Sequence, residues 1–498
     1  MDSNQIIIQL NDVNFQYSDS QPKVISNMCL KIQKAEFIVI TGKSGSGKST
    51  LALILSGFIP HLVGGKFEGE VSYQGIETQT LTLGEISQLA GLVHQDPENQ
   101  IVTSNVLEEL AFGPENLNLS KDEITKRIKF CLSATNLHEF ISRSTDELSG
   151  GEKQRVALAS LLAMGGSVLI LDEPTSYLDL VNRTQVLKTL QSLNLLQEMT
   201  IIVIDHQPEI YKDLLTRLIV LDEGRISGDY IKDEIDFFPY QVPLKSLESI
   251  RDLSAIKPMT NVIKTKNYNV FIKKNRILSN ISLNLYSGLI YGIIGRNGSG
   301  KTTFANSLLN LLITKGDVSI LGENSTKIPT YKLAKDCGLI FQNPNHQIFE
   351  QTVEKELLFA PLNLNLDSQI TAAKVNQLLC DSSLQQYTNY PPFGLSFGEK
   401  RRLTVISVDV YTPSILILDE PFIGQDRYNF EFILKILEKR KKNGLISIII
   451  SHRKELFNLV DKFIVFDEGR LIAEGSPEDL VPLLKNKLLY PISHEVLW

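Results

Sequence analysis

Short apolar runs punctuate the chain, and each stops on a polar or glycine-rich motif. EFIVI at 36–40, SVLIL at 167–171 and TIIVI at 200–204 read as strands buried on both faces, the pattern of a parallel sheet. A helix-like stretch follows each, and GKSTLALILSGF (47–58) starts one directly from a glycine loop. From about 100 to 147 the strand rhythm lapses into a mostly helical pattern, and about 348 to 394 does the same. These patterns predict an α/β fold whose sheet core carries an inserted helical subdomain. No run of about 18 apolar residues, the length a membrane-crossing helix needs, occurs anywhere.

The pattern is written twice. TGKSGSGKST (41–50) returns as IGRNGSGKTT (294–303), and SVLILDEP (167–174) as SILILDEP (414–421). LVHQDPENQI (92–101) returns as LIFQNPNHQI (339–348), and IVIDHQ (202–207) as IIISHR (448–453). Gly42 and Gly295 are 253 positions apart, Gln95 and Gln342 247, Ser149 and Ser396 247, His206 and His452 246. So steady an offset means that a whole domain is duplicated. The predicted organisation is a first domain at 1–231, a connector of mixed charge and no sustained period at 232–258, and a second domain at 259–498.

Composition changes this picture little. At 498 residues the chain suits two or more domains. A net charge of −7 gives no electrostatic reason to expect a nucleic acid as partner. The four cysteines lie far apart without a CxxC spacing and read as free thiols in a reducing compartment. The N-terminus has no basic stretch ahead of an apolar core, so no signal peptide is expected. The expectation is a cytosolic chain that reaches a membrane only through a partner.

The duplicated motifs carry chemistry. G-x-x-x-x-G-K-[ST] is met by Gly42, Gly47, Lys48 and Ser49, and by Gly295, Gly300, Lys301 and Thr302. Such a loop closes its N–H groups on phosphates at a helix N-terminus. The whole loops, Gly42, Lys43, Ser44, Gly45, Ser46, Gly47, Lys48, Ser49 and Thr50, and Gly295, Arg296, Asn297, Gly298, Ser299, Gly300, Lys301, Thr302 and Thr303, are therefore candidate ATP contacts. Lys48 and Lys301 would reach the β- and γ-phosphates, and the Ser49 and Thr302 hydroxyls would ligate Mg²⁺. One accidental lysine after a glycine turn is unremarkable; two, each between an apolar run and a helix, are not. A buried strand ending in two carboxylates is costly without a cation. Asp172 and Asp419 are candidates to hold Mg²⁺, and Glu173 and Glu420 to orient or deprotonate an attacking water. Gln95 and Gln342 are candidates to contact both metal and water, and His206 and His452 the γ-phosphate.

Glycine loop, glutamine, LSGGE, LILDEP and histidine, in this order, resemble the nucleotide-binding domains of ABC transporters over nearly the whole chain. The resemblance implies tandem P-loop domains that stack head to tail, each signature closing over ATP held by the other half. One composite site would then combine Lys48, Ser49, Gln95, Glu173 and His206 with Ser396 and Gly398. Its sister would combine Lys301, Thr302, Gln342, Glu420 and His452 with Ser149, Gly150 and Gly151. Asp179 and Asp426 match the aspartates that couple the two sites, and Tyr17 matches the aromatic that stacks on adenine. In the second half Tyr268 and Phe271 compete for that role.

The segments QDPENQIVTSNVLEELAFGPENL (95–117) and QNPNHQIFEQTVEKELLFAPLNL (342–364) look like those of energy-coupling factor importers. By that resemblance the chain is a peripheral ATPase at the cytoplasmic face of the cell membrane. It would serve a transmembrane coupling protein and a substrate-binding membrane protein, bind no nucleic acid, and make no contact with the imported vitamin or micronutrient. Two other tandem ABC classes are alternative readings. Monosaccharide importers often have one eroded half, whereas both halves here keep a full catalytic set. Soluble translation factors carry a long charged helical linker, which the short connector does not match.

One departure stands out. LSGGEKQR (148–155) becomes LSFGEKRR (395–402), placing Phe397 where the first half has Gly150. The expectation is a loss of backbone freedom there, since glycine reaches positive φ cheaply and phenylalanine does not.

Overall fold

The computed structural model describes residues 5–18, 22–95, 97, 100–148, 150–176, 178–237, 240, 244–253 and 260–487. It divides into two units, Met1–Gln241 and Val242–Trp498.

In the first unit a six-stranded sheet runs in the order Arg225–Ile231, Arg217–Asp222, Phe37–Gly42, Thr200–Ile204, Val168–Asp172, Ala90–Val93. All neighbours are parallel except the antiparallel edge strand Arg225–Ile231. The apolar runs form the three central strands, and their period of two sorts them between two cores. Phe37, Val39, Leu169, Leu171, Ile201 and Val203 face a core shared with helices. Ile38, Ile40, Val168, Ile170, Ile202 and Ile204 face a core roofed by a four-stranded antiparallel sheet. Each such side chain contributes about 1.5–3 kcal/mol through burial, which is why an uninterrupted apolar run is needed.

The helical subdomain holds Val106–Asn116 and Lys121–Thr135. Asn105 and Ser120 begin these helices by accepting the Glu108 and Glu123 N–H groups at 2.9 and 3.3 Å. The second unit repeats the design. Its sheet order is Cys337–Ile340, Ile415–Asp419, Ile446–Ile450, Ile290–Ile294, Lys462–Asp467, Arg470–Gly475, and its inserted helices are Val353–Asn363 and Ser368–Asp381. The expected duplicated α/β fold is the fold observed.

The connector differs from its expectation. Ile235, Phe237 and Tyr240 lie against the first unit's helical core. A helix, Leu244–Arg251, belongs to the second unit and buries Leu247 and Ile250 in its core. Residues expected to link therefore pack, because each half supplies apolar surface for the apolar side chains nearest to it. Residues 238, 239, 241–243 and 254–258 of the connector lie outside the described residues.

Parallel central strands bring their carboxyl ends to one edge. Gly42, the pair Asp172 and Glu173, and the pair Asp205 and His206 all leave the sheet there, where open α/β sheets bind ligands.

Candidate nucleotide sites

The glycine loop takes the same form in both units. Gly42 has φ +149° and Gly295 +151°, and a β-carbon there would fall 2.1 Å from the Leu221 or Phe466 carbonyl oxygen. Only glycine fits so close an approach. Gly47 and Gly300, at φ +97° and +99°, immediately precede the helices Lys48–Leu55 and Lys301–Leu308. The two lysines are buried, and each bends its Nζ back over the loop. Lys48 donates to the Gly42 and Lys43 carbonyls at 2.9 and 2.8 Å, Lys301 to those of Gly295 and Arg296 at the same distances. The loop thus surrounds an ammonium group at a helix N-terminus, a cradle built for phosphate. Gly45 and Gly298, at φ +80° and +77°, stand in open space at its rim.

The acidic pair follows. Glu173 and Glu420 are left-handed, at φ +48° and +46°, while their N–H groups still bond Ile204 and Ile450 carbonyls at 2.8 Å. Such a conformation is strained for glutamate, and Glu198, Glu223 and Glu468 share it, so it fixes where the side chain leaves the sheet without by itself marking function. Around Glu173 the donors converge. Gln95 Nε2 and Ser176 Oγ both reach Oε2 at 2.8 Å, and His206 Nε2 lies 3.2 Å from Oε1. Burial pushes this carboxyl up, but the His206 bond and charge, the Ser176 hydroxyl and Lys48 together hold it below its ordinary value. Asp172 is pushed up to about 7 by burial and by the Glu173 charge, against the pull of Ser49, Lys48 and His206.

In the second unit the clasp is looser. His452 Nε2 lies 3.6 Å from Glu420 Oε1, and among the described residues no hydrogen bond joins the Gln342 side chain to Glu420. Burial and the Asp419 charge push the Glu420 carboxyl up, with Lys301 and the hydrogen bonds from the Ser451 side chain and the His452 backbone pulling the other way. Thr302 donates to Asp419 Oδ2 at 2.7 Å, while Asp419 Oδ1 is buried without a hydrogen-bond partner. That orphaned oxygen beside a hydroxyl fits a hard cation. Among the described residues no cluster of three or more His, Cys, Asp or Glu could hold a metal. An ion at Ser49 and Asp172, or at Thr302 and Asp419, would therefore complete its oxygen ligands from phosphate and water.

The signature helices correct one expectation. Ser396 caps Phe397–Asp409 in a reciprocal box with Glu399, its hydroxyl donating to Glu399 Oε2 at 2.7 Å. Phe397 is the first helical residue, and neither it nor Gly150 has a positive φ. A β-carbon at Gly150 would meet nothing within 4 Å. Phenylalanine therefore costs the backbone nothing here; its ring lies under the Arg401 guanidinium at 5.8 Å. Arg401, fully buried, donates to the Phe341 and Gln342 carbonyls and so ties this helix to the glutamine segment. Its counterpart in the first half is Gln154. Ser149 lies outside the described residues. Asp179 and Asp426 cap the next helices by accepting the Asn182 and Asn429 N–H groups at 2.9 and 2.8 Å.

The base-stacking question is decided by register. Asn14 Oδ1 accepts the Asn27 N–H, and Asn269 Oδ1 accepts the Asn280 N–H, both at 3.1 Å. Those asparagines are equivalent, so Tyr17 corresponds to Ile272 and Tyr268 to Val13. Tyr17 is partly exposed, and its hydroxyl lies 3.0 Å from Thr50 Oγ1 beside the glycine loop. Tyr268 is fully buried and donates to the Ser307 carbonyl, which removes it as a base contact. Phe271 takes the place of Gln16 and lies under Lys315. The second half has no aromatic where Tyr17 stands.

Residue reading from sequence missed Ser176. Its only signal was its place three residues after Glu173, as a helix-like turn would require.

A glycine cradle, a buried lysine, a hydroxyl on a buried aspartate and a glutamate aimed from a strained turn define a P-loop nucleoside-triphosphatase, one in each unit. The family model described as ABC transporter matches residues 25–176 and 278–423, and the chain belongs to this family. It is an ATPase, the ATP-binding subunit of an ABC transporter. Among relatives, a "Putative ABC transporter ATP-binding protein" of Methanosarcina mazei is 31% identical over 95% of this chain and 91% of its own. One of the same description from Bacillus cereus is 31% identical over 96% and 92%. The solved cbiO1 of Clostridium perfringens, described as part of the ABC transporter complex cbiONQ, is 29% identical. It covers 46% of this chain and 90% of its own with a TM-score of 0.43. Among the described residues no helix is long and apolar enough to cross a membrane.

Proposed function

We propose that the chain powers a membrane importer of the energy-coupling factor type, taking up a vitamin or related micronutrient from its place at the cytoplasmic face. The observation that carries this reading is the segment after each catalytic-edge glutamine. In the first unit buried Glu109 accepts the Val102 and Thr103 N–H groups at 3.0 and 2.9 Å. In the second, buried Glu356 does the same for Phe349 and Glu350 at 3.1 and 2.9 Å. An inward carboxylate thereby fixes the loop and turns apolar side chains outward: Val102, Leu107 and Phe112, and Phe349, Phe359 and Leu362. In the second unit Phe349 and Phe359 rim a groove of about 230 Å³ that also takes in Leu311, Leu339 and Tyr411. Exposed apolar surface on a fixed frame suits an apolar helix of a transmembrane coupling protein. A separate membrane protein would bind the substrate, which this chain does not touch.

In each site the glycine loop and Lys48 or Lys301 hold the phosphates. Glu173 or Glu420 takes a proton from water as its oxygen bonds the γ-phosphorus and the bond to ADP breaks. Gln95 and His206, and Gln342 and His452, orient that carboxylate and the γ-phosphate. Mg²⁺ held at Ser49 and Asp172, or Thr302 and Asp419, would neutralise phosphate charge. Closure would bring Ser396 and Gly398, or Ser149, Gly150 and Gly151, over the nucleotide of the other half. One covalent chain keeps the halves at an effective concentration on the order of millimolar, so closure does not wait for assembly.

The test is to extract the chain from its own membranes in mild detergent. An integral coupling protein, a substrate-binding membrane protein and a bound micronutrient are expected with it. Recovery with ribosomes and no membrane protein would end the reading.

A further inference from the structure

We infer that Ser176 is a positioning residue for the Glu173 carboxylate, and that Ile423 leaves Glu420 without the equivalent hold. This rests on the reading of Glu173 and Glu420 as the groups that take the water's proton.

The backbone at the two places is the same. The Ser176 N–H donates to the Glu173 carbonyl at 3.3 Å, and the Ile423 N–H to that of Glu420 at 3.4 Å. The turn is kept, and the hydroxyl is replaced by a larger apolar side chain. In the first unit that hydroxyl sits 2.8 Å from Glu173 Oε2, the oxygen also bonded by Gln95. Two donors on one oxygen fix the torsion of the carboxylate, and Oε1 is left beside His206. A carboxylate placed within hydrogen-bond reach of its proton gains rate through geometry. In the second unit Ile423 is buried at 6% exposure and offers no donor, and the hydrogen bonds that Glu420 accepts come from the Ser451 side chain and the His452 backbone instead.

The hydroxyl acts through Glu173 and touches no substrate, so its removal should change rate and leave affinity alone. The experiment measures single-turnover hydrolysis at saturating ATP in a Glu420→Gln chain, where Glu173 alone works. Ser176→Ala is expected to slow that step about three- to tenfold, the worth of one ordinary net hydrogen bond. The ATP half-saturation and the unfolding midpoint should stay in place, and Ser176→Thr should restore most of the rate. In a Glu173→Gln chain, Ile423→Ser should raise the rate of the remaining site. An unchanged rate in Ser176→Ala, a matching loss of ATP affinity, or failure of threonine to rescue overturns the positioning role. If Glu173→Gln itself leaves hydrolysis by the first site intact, the base assignment fails instead, and the two failures are told apart.

Discussion

Behind the two glutamates the halves differ in kind. In the first, Tyr211 donates to Asp205 Oδ2 at 2.8 Å, and Thr175 joins them at 3.3 and 3.5 Å, a buried polar network. In the second the corresponding residues are Phe422, Ser451 and Phe457. Phe422 stacks on Phe430 at 4.2 Å, and the Arg453 guanidinium covers Phe430 at 4.8 Å. One backbone therefore carries a glutamate whose donors outweigh its burial, and another that burial and the Asp419 charge push toward its neutral form in spite of the Ser451 and His452 hydrogen bonds. The same four-letter motif sits in both. What a catalytic carboxylate does is set by its neighbours, which the motif does not name.

The comparison is most directly broken at the glutamates. Glu173→Gln should remove most steady-state ATP turnover, at least about tenfold, and Glu420→Gln distinctly less, because removing a placed general base costs about 10²–10⁴ at the site affected. Together they should trap ATP unhydrolysed in a closed form. Equal losses from the two single variants in a phosphate-release assay would erase the difference drawn here. Base stacking gives the next effect. Tyr17→Ala should weaken nucleotide binding at the first site about tenfold, and Ile272→Tyr should strengthen it at the second, since a base on an aromatic face is worth about 1–3 kcal/mol. Fluorescent-nucleotide titration of chains carrying Lys301→Ala or Lys48→Ala separates the sites. Smallest is Phe397→Gly. With no positive φ to relieve, it should change turnover less than about twofold and cost at most about 1 kcal/mol of helix stability, read by thermal unfolding.

Much of this was legible beforehand. The apolar runs became central strands because alternation gives each face its own core, and the glycine loops and acidic pairs fell at the strand ends as their spacing requires. The helix at Leu244–Arg251 was not legible, since its two anchors, Leu247 and Ile250, mean nothing until the second core is there to receive them. Nor was the register of Tyr17. Between the paired asparagines the second half is shorter by two residues, 11 steps against 13, so counting from either flank misleads. Ser176 stayed hidden because serine after a proline turn is common and only its distance to Glu173 gives it meaning.

The left-handed turns at Glu173 and Glu420 have a consequence for the history of such chains. Glycine or asparagine would sit at φ near +47° with less strain than glutamate, by about 1 kcal/mol. Folding therefore argues against the acid at both places, and the proposed role in hydrolysis would offset that cost. Where that role lapses in one half, drift away from glutamate is favoured at the first step. The return journey must then displace a residue that the fold prefers.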